Sequence, residues 1–140
     1  MTYQARKALS EVDLLADLPA QTLDELIQRG TTFTTNPGRR VVIEGDKDAG
    51  LHVVLEGSAE ITVHGESRAP LGPGDYFGEI SMIDGAPRSA TVISGPEGLK
   101  TFALSPLAFA PIIERPEVAR VLLRAMCARI RAMEKTPDVT

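Results

Sequence analysis

A chain of 140 residues with 43% hydrophobic residues can bury one sizeable core, so we expect a single domain over residues 1–140. The formal net charge of −4 argues against a general nucleic-acid binder, because contact with the DNA backbone depends on a basic surface. No apolar run approaches the roughly 20 residues of a membrane span, and the N-terminus lacks the apolar stretch of a signal peptide. Because Cys127 is the lone cysteine, no internal disulfide can form, and we expect a cytoplasmic protein.

The first predicted elements are N-terminal helices over about residues 10–30. Leucine and isoleucine side chains recur there at helical spacing. Pro19 interrupts the pattern and Gly30 ends it, as proline and glycine often do at helix boundaries. We expect these helices to cover one side of the strands that follow.

Short β-rich runs alternate with glycine-containing turns between residues 31 and 104. The runs cover residues 31–35, 39–43, 51–55, 59–64, 91–93 and 99–104. Two of the turns, residues 56–58 and 94–96, place Gly57 and Gly95 between neighbouring runs. Strands this short and this regularly interrupted predict an α+β, mainly β fold built on a jelly-roll β-barrel, the double-stranded β-helix.

The segment over residues 77–92 combines an acid, a base and a turn of backbone amides. Arg88 follows Glu79 by nine positions, and its planar guanidinium offers paired donors for two phosphate oxygens. An ionised carboxylate accepts hydrogen bonds and donates none, so Glu79 suits a ribose 2′-hydroxyl. If residues 78–81 open a short helix, their free amides face the same anion, and Gly78 permits its close approach. The segment therefore predicts a site for a sugar phosphate.

The same segment resembles the phosphate-binding cassette of cyclic nucleotide-binding domains. That cassette has Phe-Gly-Glu, a few small or apolar residues, a short turn, and then Pro-Arg followed by Thr and an aliphatic residue, and every fixed position is occupied here. The similarity covers roughly residues 14–133, and it implies cAMP, or alternatively cGMP, as the ligand with no separate cofactor. The implied ligand-binding residues are Phe77, Gly78, Glu79, Ile80, Ser81, Pro87, Arg88, Ser89 and Ala90.

Two helices are predicted after the strands, over about residues 105–134. Ser105 is a candidate N-cap with Pro106 at the first helical position, and Pro116 begins a longer helix that runs to about Glu134. An apolar stripe follows this longer helix. It consists of Leu122, Leu123, Met126, Ile130 and Met133.

We expect the first half of this stripe to pack against the strands and the second half to form a homodimer seam. The resemblance supports the seam, because the long helix of the family commonly pairs with its twin. It also implies that the helix closes over the base, which makes Arg129 a possible base contact. A solvated arginine is nevertheless the favoured interpretation of Arg129.

No catalytic or metal site is predicted. His52 and His64 lie in different predicted strands, whereas a metal site on a similar barrel needs several histidines and a carboxylate that converge. Hydrolysis of a cyclic phosphate needs an activated water, usually on a metal ion. Since the sequence ends soon after the last predicted helix, we also expect no DNA-binding element.

The predicted function is a cyclic nucleotide sensor, with cAMP as the first choice of ligand, that couples ligand capture to movement of the C-terminal helices. One alternative is a degenerate jelly-roll that has no nucleotide ligand and uses the methionine-containing C-terminal helix as a protein-interaction surface. Glu79 and Arg88 could also be an ordinary surface ion pair across a loop. Another alternative is a regulatory fragment of a longer enzyme. The affinity and the downstream protein partner stay open at this point.

Overall fold

The structure is a computed structural model that describes residues 2–43, 45, 50–87 and 90–134. The helices are α1 (Thr2–Ser10), α2 (Ala20–Arg29), α3 (Glu79–Asp84), α4 (Pro106–Ile113) and α5 (Pro116–Glu134). The strands are β1 (Thr31–Thr35), β2 (Arg40–Val42), β3 (Leu51–Val63), β4 (Glu66–Ser67), β5 (Tyr76–Phe77) and β6 (Thr91–Leu104). No helix within these ranges combines the length and the apolar character that crossing a bilayer requires.

The strands form one antiparallel sheet. Its main order is β1-β6-β3-β4, with β2 paired to β6 and β5 paired to β3. In the described ranges this pairing path is open at β1 and β4, so the strands do not close on themselves as a barrel. The predicted mixture of helices with a dominant antiparallel sheet is nevertheless present.

Two predicted turns are instead bulges inside long strands. β3 continues through residues 56–58 and β6 continues through residues 94–96, so the four runs predicted around these turns are two strands. The β3–β6 register shifts on either side of Gly57, which has a φ of 82°. A Cβ at Gly57 would collide with the carbonyl oxygen of Gly98 on the partner strand. Glycine therefore permits the close approach of the two strands where their register is interrupted, and pairing resumes at Ala59 and Ser94.

The core has two parts, one on each face of the sheet. Successive β3 residues point to opposite faces, so Val53 belongs to the larger cluster and Val54 to the smaller one. The larger cluster lies between the sheet and the helices and includes Leu26, Phe109 and Leu122. The smaller cluster contains Val42, Val54, Ala59, Val92 and Leu99, with Phe77 packed against it. This second cluster forms the base on which the candidate site is built.

The N-terminal prediction is partly wrong. A helix begins at Thr2 and ends at Ser10, whereas residues 11–18 form consecutive turns. The amides of Leu15 and Leu18 donate to carbonyl oxygens three residues earlier. Leucines at spacings of three and four are buried equally well by these turns, which is why periodicity alone suggested a helix. The second predicted helix is confirmed as α2, and it ends where the Gly30 amide donates to the Leu26 carbonyl.

Both C-terminal helices are confirmed with their predicted starts. The Ser105 hydroxyl accepts a hydrogen bond from the Ala108 amide at 3.1 Å, and Pro106 occupies the first turn of α4. Such a cap stabilises a helix by about 1 kcal/mol. α5 begins at Pro116 and runs to Glu134, and its first half packs on the core as predicted through Val118 and Leu122.

Candidate functional site

The site begins where β5 passes into α3. Phe77 pairs with His52 of β3, and the two rings stack with centroids 5.0 Å apart at an interplanar angle of 4°. Gly78 then adopts a left-handed conformation with a φ of 86°, which suits glycine far better than other residues, and α3 starts at Glu79. The predicted short helix at residues 78–81 is therefore confirmed.

The first turn of α3 presents donors without acceptors inside the helix. The Met82 amide donates to the Gly78 carbonyl oxygen at 3.0 Å, and this is the first bond of the helix. The amides ahead of it, from Glu79 to Ser81, have no carbonyl oxygen within the helix to which they can donate. Because these groups carry the positive end of the helix dipole, they favour an anion.

A cavity of about 290 Å³ opens beside this turn. Its volume lies near the lower end of the range of about 300–1,000 Å³ that is usual for ligand sites. One side of the lining is mainly apolar. The other side comes from the start of α3 and from Ala90, directly before β6. The described lining residues are Val42, Ile61, Arg68, Ala69, Leu71, Tyr76, Phe77, Gly78, Glu79, Ser81, Ala90 and Val92.

The structure brings most of the predicted site residues together. Five of the nine, Phe77, Gly78, Glu79, Ser81 and Ala90, line the cavity. Two others, Ile80 and Pro87, are exposed and their side chains do not line it. The predicted phosphate anchor Arg88 and its neighbour Ser89 lie outside the described residues.

The loop after α3 is organised by its own backbone and by one carboxylate. Gly85 ends the helix in a left-handed conformation, and its amide donates to the Ser81 carbonyl oxygen at 2.9 Å. The Ala86 amide then donates to the Asp84 carboxylate at 2.8 Å. These bonds end α3 and stabilise the residues that directly follow it.

Glu79 does not face the cavity alone, because Arg129 of α5 approaches it. Arg129 Nη1 lies 3.3 Å from Glu79 Oε2, and the two side chains are only 24% and 18% exposed, respectively. The favoured sequence interpretation of Arg129 as a solvated side chain is therefore wrong. The second half of α5 passes close enough to α3 for the guanidinium to reach the carboxylate.

Arg129 is also bound by Asp13 and Tyr76. Its Nη2 donates to Asp13 Oδ1 at 2.7 Å and to the Tyr76 hydroxyl at 3.2 Å. The Tyr76 hydroxyl donates in turn to Asp13 Oδ1 at 2.5 Å. The cluster Asp13–Tyr76–Arg129–Glu79, which we call the arginine cluster, thus joins the turns after α1, the strand β5, the helix α3 and the helix α5.

Burial and hydrogen bonding in this cluster shift the pKa values of Asp13 and Tyr76 in opposite directions. Burial raises the pKa of Asp13, but the hydrogen bonds from Arg129 and Tyr76 outweigh it and hold that pKa below the ordinary value. Burial, together with the hydrogen bond to Asp13, raises the pKa of Tyr76 to about 12. At neutral pH Asp13 is therefore a carboxylate, Tyr76 a neutral phenol and Arg129 a guanidinium cation.

Sequence reasoning missed Asp13 and Tyr76 as parts of the site. Asp13 and Arg129 are 116 positions apart, so no local spacing connects them. Tyr76 directly precedes the cassette, but its hydroxyl acquires a partner only through the fold. Within the described ranges no group of three metal-binding side chains converges that could hold a metal ion.

The arrangement suits a small anion that also carries a hydroxyl group. The free amides of α3 can bind the anion, and the Glu79 carboxylate can accept from the hydroxyl. The apolar side of the cavity, from Val42, Ile61 and Val92, can cover an uncharged ring.

Residues 33–115 match the model of the family described as the cyclic nucleotide-binding domain. This range runs from β1 to the loop after α4 and contains every described residue that lines the cavity. Asp13 and Arg129 of the arginine cluster lie outside it.

The chain is also similar to individual proteins. A cAMP-dependent protein kinase regulatory subunit from Yarrowia lipolytica is 40% identical over 97 residues, which cover 65% of this chain and 26% of that protein. The N-terminal domain of a transcriptional regulator from Streptomyces coelicolor A3(2) has a TM-score of 0.79 at 32% identity, over 92% of this chain and 96% of that one. The regulatory domain of Toxoplasma gondii PKA, co-crystallised with cAMP, has a TM-score of 0.72 at 28% identity, and the match covers 79% of this chain and 44% of that one.

These similarities confirm the predicted α+β, jelly-roll fold class. The chain spans about a quarter or less of the length of the curated relatives that it matches.

Proposed function

This chain belongs to the family of cyclic nucleotide-binding domains, and on that premise we propose that it is a sensor whose ligand is cAMP. The observation that carries the proposal is the position of Glu79, which lies in the wall of an apolar cavity at the first turn of a helix. A carboxylate there can accept a hydrogen bond from a ribose hydroxyl, while the adjacent amides accommodate the phosphate.

The proposed ligand contacts keep the nine residues predicted from the sequence. Glu79 binds the 2′-hydroxyl, the amides of residues 78–81 and the Arg88 guanidinium bind the cyclic phosphate, and Ser89 and Ala90 lie at the phosphate or the base edge. Support for these roles comes from the five of the nine that line the cavity. Arg129 remains a possible base contact, reached from α5.

The choice of cAMP over cGMP rests on relatives. The Yarrowia lipolytica protein is named as a cAMP-dependent regulatory subunit, and the Toxoplasma gondii domain was solved with cAMP. The cavity wall formed by the described residues is largely aliphatic where a base would lie, which favours neither purine.

We propose further that ligand capture is coupled to α5. Arg129 links this helix to Glu79, which is the proposed ribose contact. A ligand that hydrogen bonds to Glu79 changes the free energy of the Arg129–Glu79 contact, and it shifts α5 only by the difference in affinity between the two arrangements.

A homodimer through the second half of α5 is part of this proposal. Leu123, Ile130 and Met133 are 66%, 51% and 64% exposed, respectively, and with Met126 they recur at alternating spacings of four and three. This is the spacing of a coiled-coil seam, and a second copy of the helix would cover it.

The proposed setting is a single regulatory domain over residues 1–140 in the cytoplasm, with no catalytic activity of its own and an unidentified downstream protein. The exposed Cys127 thiol fits a reducing compartment. The relatives support the regulatory role, since the Yarrowia lipolytica and Toxoplasma gondii proteins are named for regulation.

Calorimetric titration with cAMP and with cGMP tests the proposal. We expect saturable heat with cAMP and a matching rise in the midpoint of thermal unfolding, because a ligand that binds the folded state stabilises it. A preference for cGMP would correct the choice of base. No heat and no stabilisation with either nucleotide at high micromolar concentration would favour a protein-interaction domain without a nucleotide ligand.

A further inference from the structure

Asp13 occupies a fixed position outside the part of the chain that matches the family. It lies in the turns between α1 and α2, and its neighbours Val12 and Leu14 are 0% and 1% exposed. These two buried side chains anchor the chain on either side of Asp13, whose own side chain is 53% exposed.

The nitrogens of Arg129 are shared between two carboxylates, those of Asp13 and Glu79. Arg129 Nε lies 3.4 Å from Asp13 Oδ2 and Nη2 lies 2.7 Å from Oδ1, so Asp13 binds one edge of the guanidinium. Nη1, on another edge, is the atom that faces Glu79. Because the guanidinium is planar and rigid, binding one edge fixes the direction of the other.

Tyr76 supports the same geometry from β5. Its hydroxyl donates to Asp13 and accepts from Arg129 Nη2, so it orients both groups. Its position in the chain, directly before Phe77, places this support beside the cavity. Asp13 and Tyr76 together prevent the guanidinium from turning its bidentate edge toward Glu79.

We propose that Asp13 is a positioning residue for ribose recognition, which it achieves by binding Arg129 so that only Nη1 faces Glu79. The inference rests on the proposed function. With Asp13 in place, Glu79 keeps acceptor capacity for a ligand hydroxyl. Without it, the guanidinium is free to pair both of its donors with Glu79 and to compete with that hydroxyl. The turns after α1 therefore become part of the site.

The test compares Asp13→Asn with the parent protein by calorimetry, using cAMP and 2′-deoxy-cAMP. The parent should prefer the ribonucleotide, and in Asp13→Asn this preference should fall about tenfold, which is the effect of losing one charge-assisted hydrogen bond. Affinity for the deoxy ligand should change little, because that ligand does not use Glu79.

Glu25→Gln is the matched control. Glu25 also binds an arginine of the C-terminal region, with its two oxygens 2.6 and 2.8 Å from Arg115, but neither residue is among those that line the cavity. Like Asp13→Asn, this substitution removes one carboxylate from an arginine pair. It should leave the preference for the ribonucleotide unchanged.

Two further variants separate positioning from a loss of folding. Tyr76→Phe keeps the ring and Asp13 but removes the hydroxyl, and it should reduce the preference in the same direction. In Arg129→Gln, adding Asp13→Asn should have no further effect on the preference, since Asp13 acts through Arg129.

The inference is overturned if the parent prefers the ribonucleotide and Asp13→Asn or Tyr76→Phe retains that preference in full. It is also overturned if the effects of Asp13→Asn and Arg129→Gln simply add. A parent protein that binds neither nucleotide is a different result, since it removes the proposed function and the inference with it.

Discussion

Arg129 Nη1 lies 3.3 Å from Glu79 Oε2, which joins the long C-terminal helix to the carboxylate in the cavity wall. Glu79 thus has a proposed ligand on one side and a helix on the other. A site built in this way can report ligand capture to α5 through one guanidinium. The arginine cluster also connects it to the N-terminal turns through Asp13.

Glu79→Gln should weaken binding of cAMP about tenfold and bring it close to the affinity for 2′-deoxy-cAMP. The neutral amide is a weaker acceptor for the 2′-hydroxyl, and hydrogen bonds to charged groups contribute about 1.5–3 kcal/mol. Dissociation constants for both ligands measure the effect. An unchanged gap between the ribo and deoxy ligands would remove Glu79 from ribose recognition.

Arg88→Ala should weaken cAMP binding by about 2–4 kcal/mol, because a partly desolvated phosphate would lose its charged partner. Arg120→Ala is the control, since Arg120 is an exposed arginine of α5. Calorimetry on both variants separates a specific contact from a general loss of positive charge. Parent-like affinity in Arg88→Ala would remove Arg88 from the proposed phosphate contacts.

Tyr76 should ionise at about pH 12, because burial and the hydrogen bond to Asp13 favour its neutral form. A phenol whose pKa is raised by folding contributes stability that is fully present below the unfolded value of about 10. That contribution is lost as the pH rises through about 12. Absorbance of tyrosinate during an alkaline titration measures the ionisation.

Tyr76→Phe is the control for this titration and should lack the late absorbance change. If the parent shows no absorbance change around pH 12 and Tyr76 instead ionises at the ordinary tyrosine pKa of about 10, the hydrogen bond to Asp13 does not stabilise the neutral phenol. The arginine cluster would then be weaker than its distances indicate.

Ile130→Glu should convert a dimer into a monomer. Ile130 is 51% exposed and lies in the middle of the proposed seam, where two like charges would face each other across the helix pair. Leu107→Glu on α4 is the matched control, because Leu107 is 88% exposed but lies outside the seam. Analytical ultracentrifugation distinguishes the outcomes, and a monomeric parent would contradict the proposed seam.

The sequence predicted the starts of the two C-terminal helices better than the continuity of the long strands. Ser105 and Pro106 mark a helix start through local chemistry, and α4 begins as that chemistry predicts. Gly57 and Gly95 also indicate a change in the backbone, but a turn and a bulge both accept glycine. Whether β3 and β6 end or continue there depends on pairing between them, which local sequence does not contain.

The sequence by itself determined the family and the short helix of the cassette, because Gly78, Glu79 and that helix are encoded within a few consecutive residues. Only the tertiary structure decided what approaches Glu79 from the rest of the chain. Asp13, Tyr76 and Arg129 come from three separate segments, and their contacts depend on how the N-terminal turns and α5 pack on the sheet. Charge pairing between distant segments leaves no periodic pattern, and this is why the fold was needed to find it.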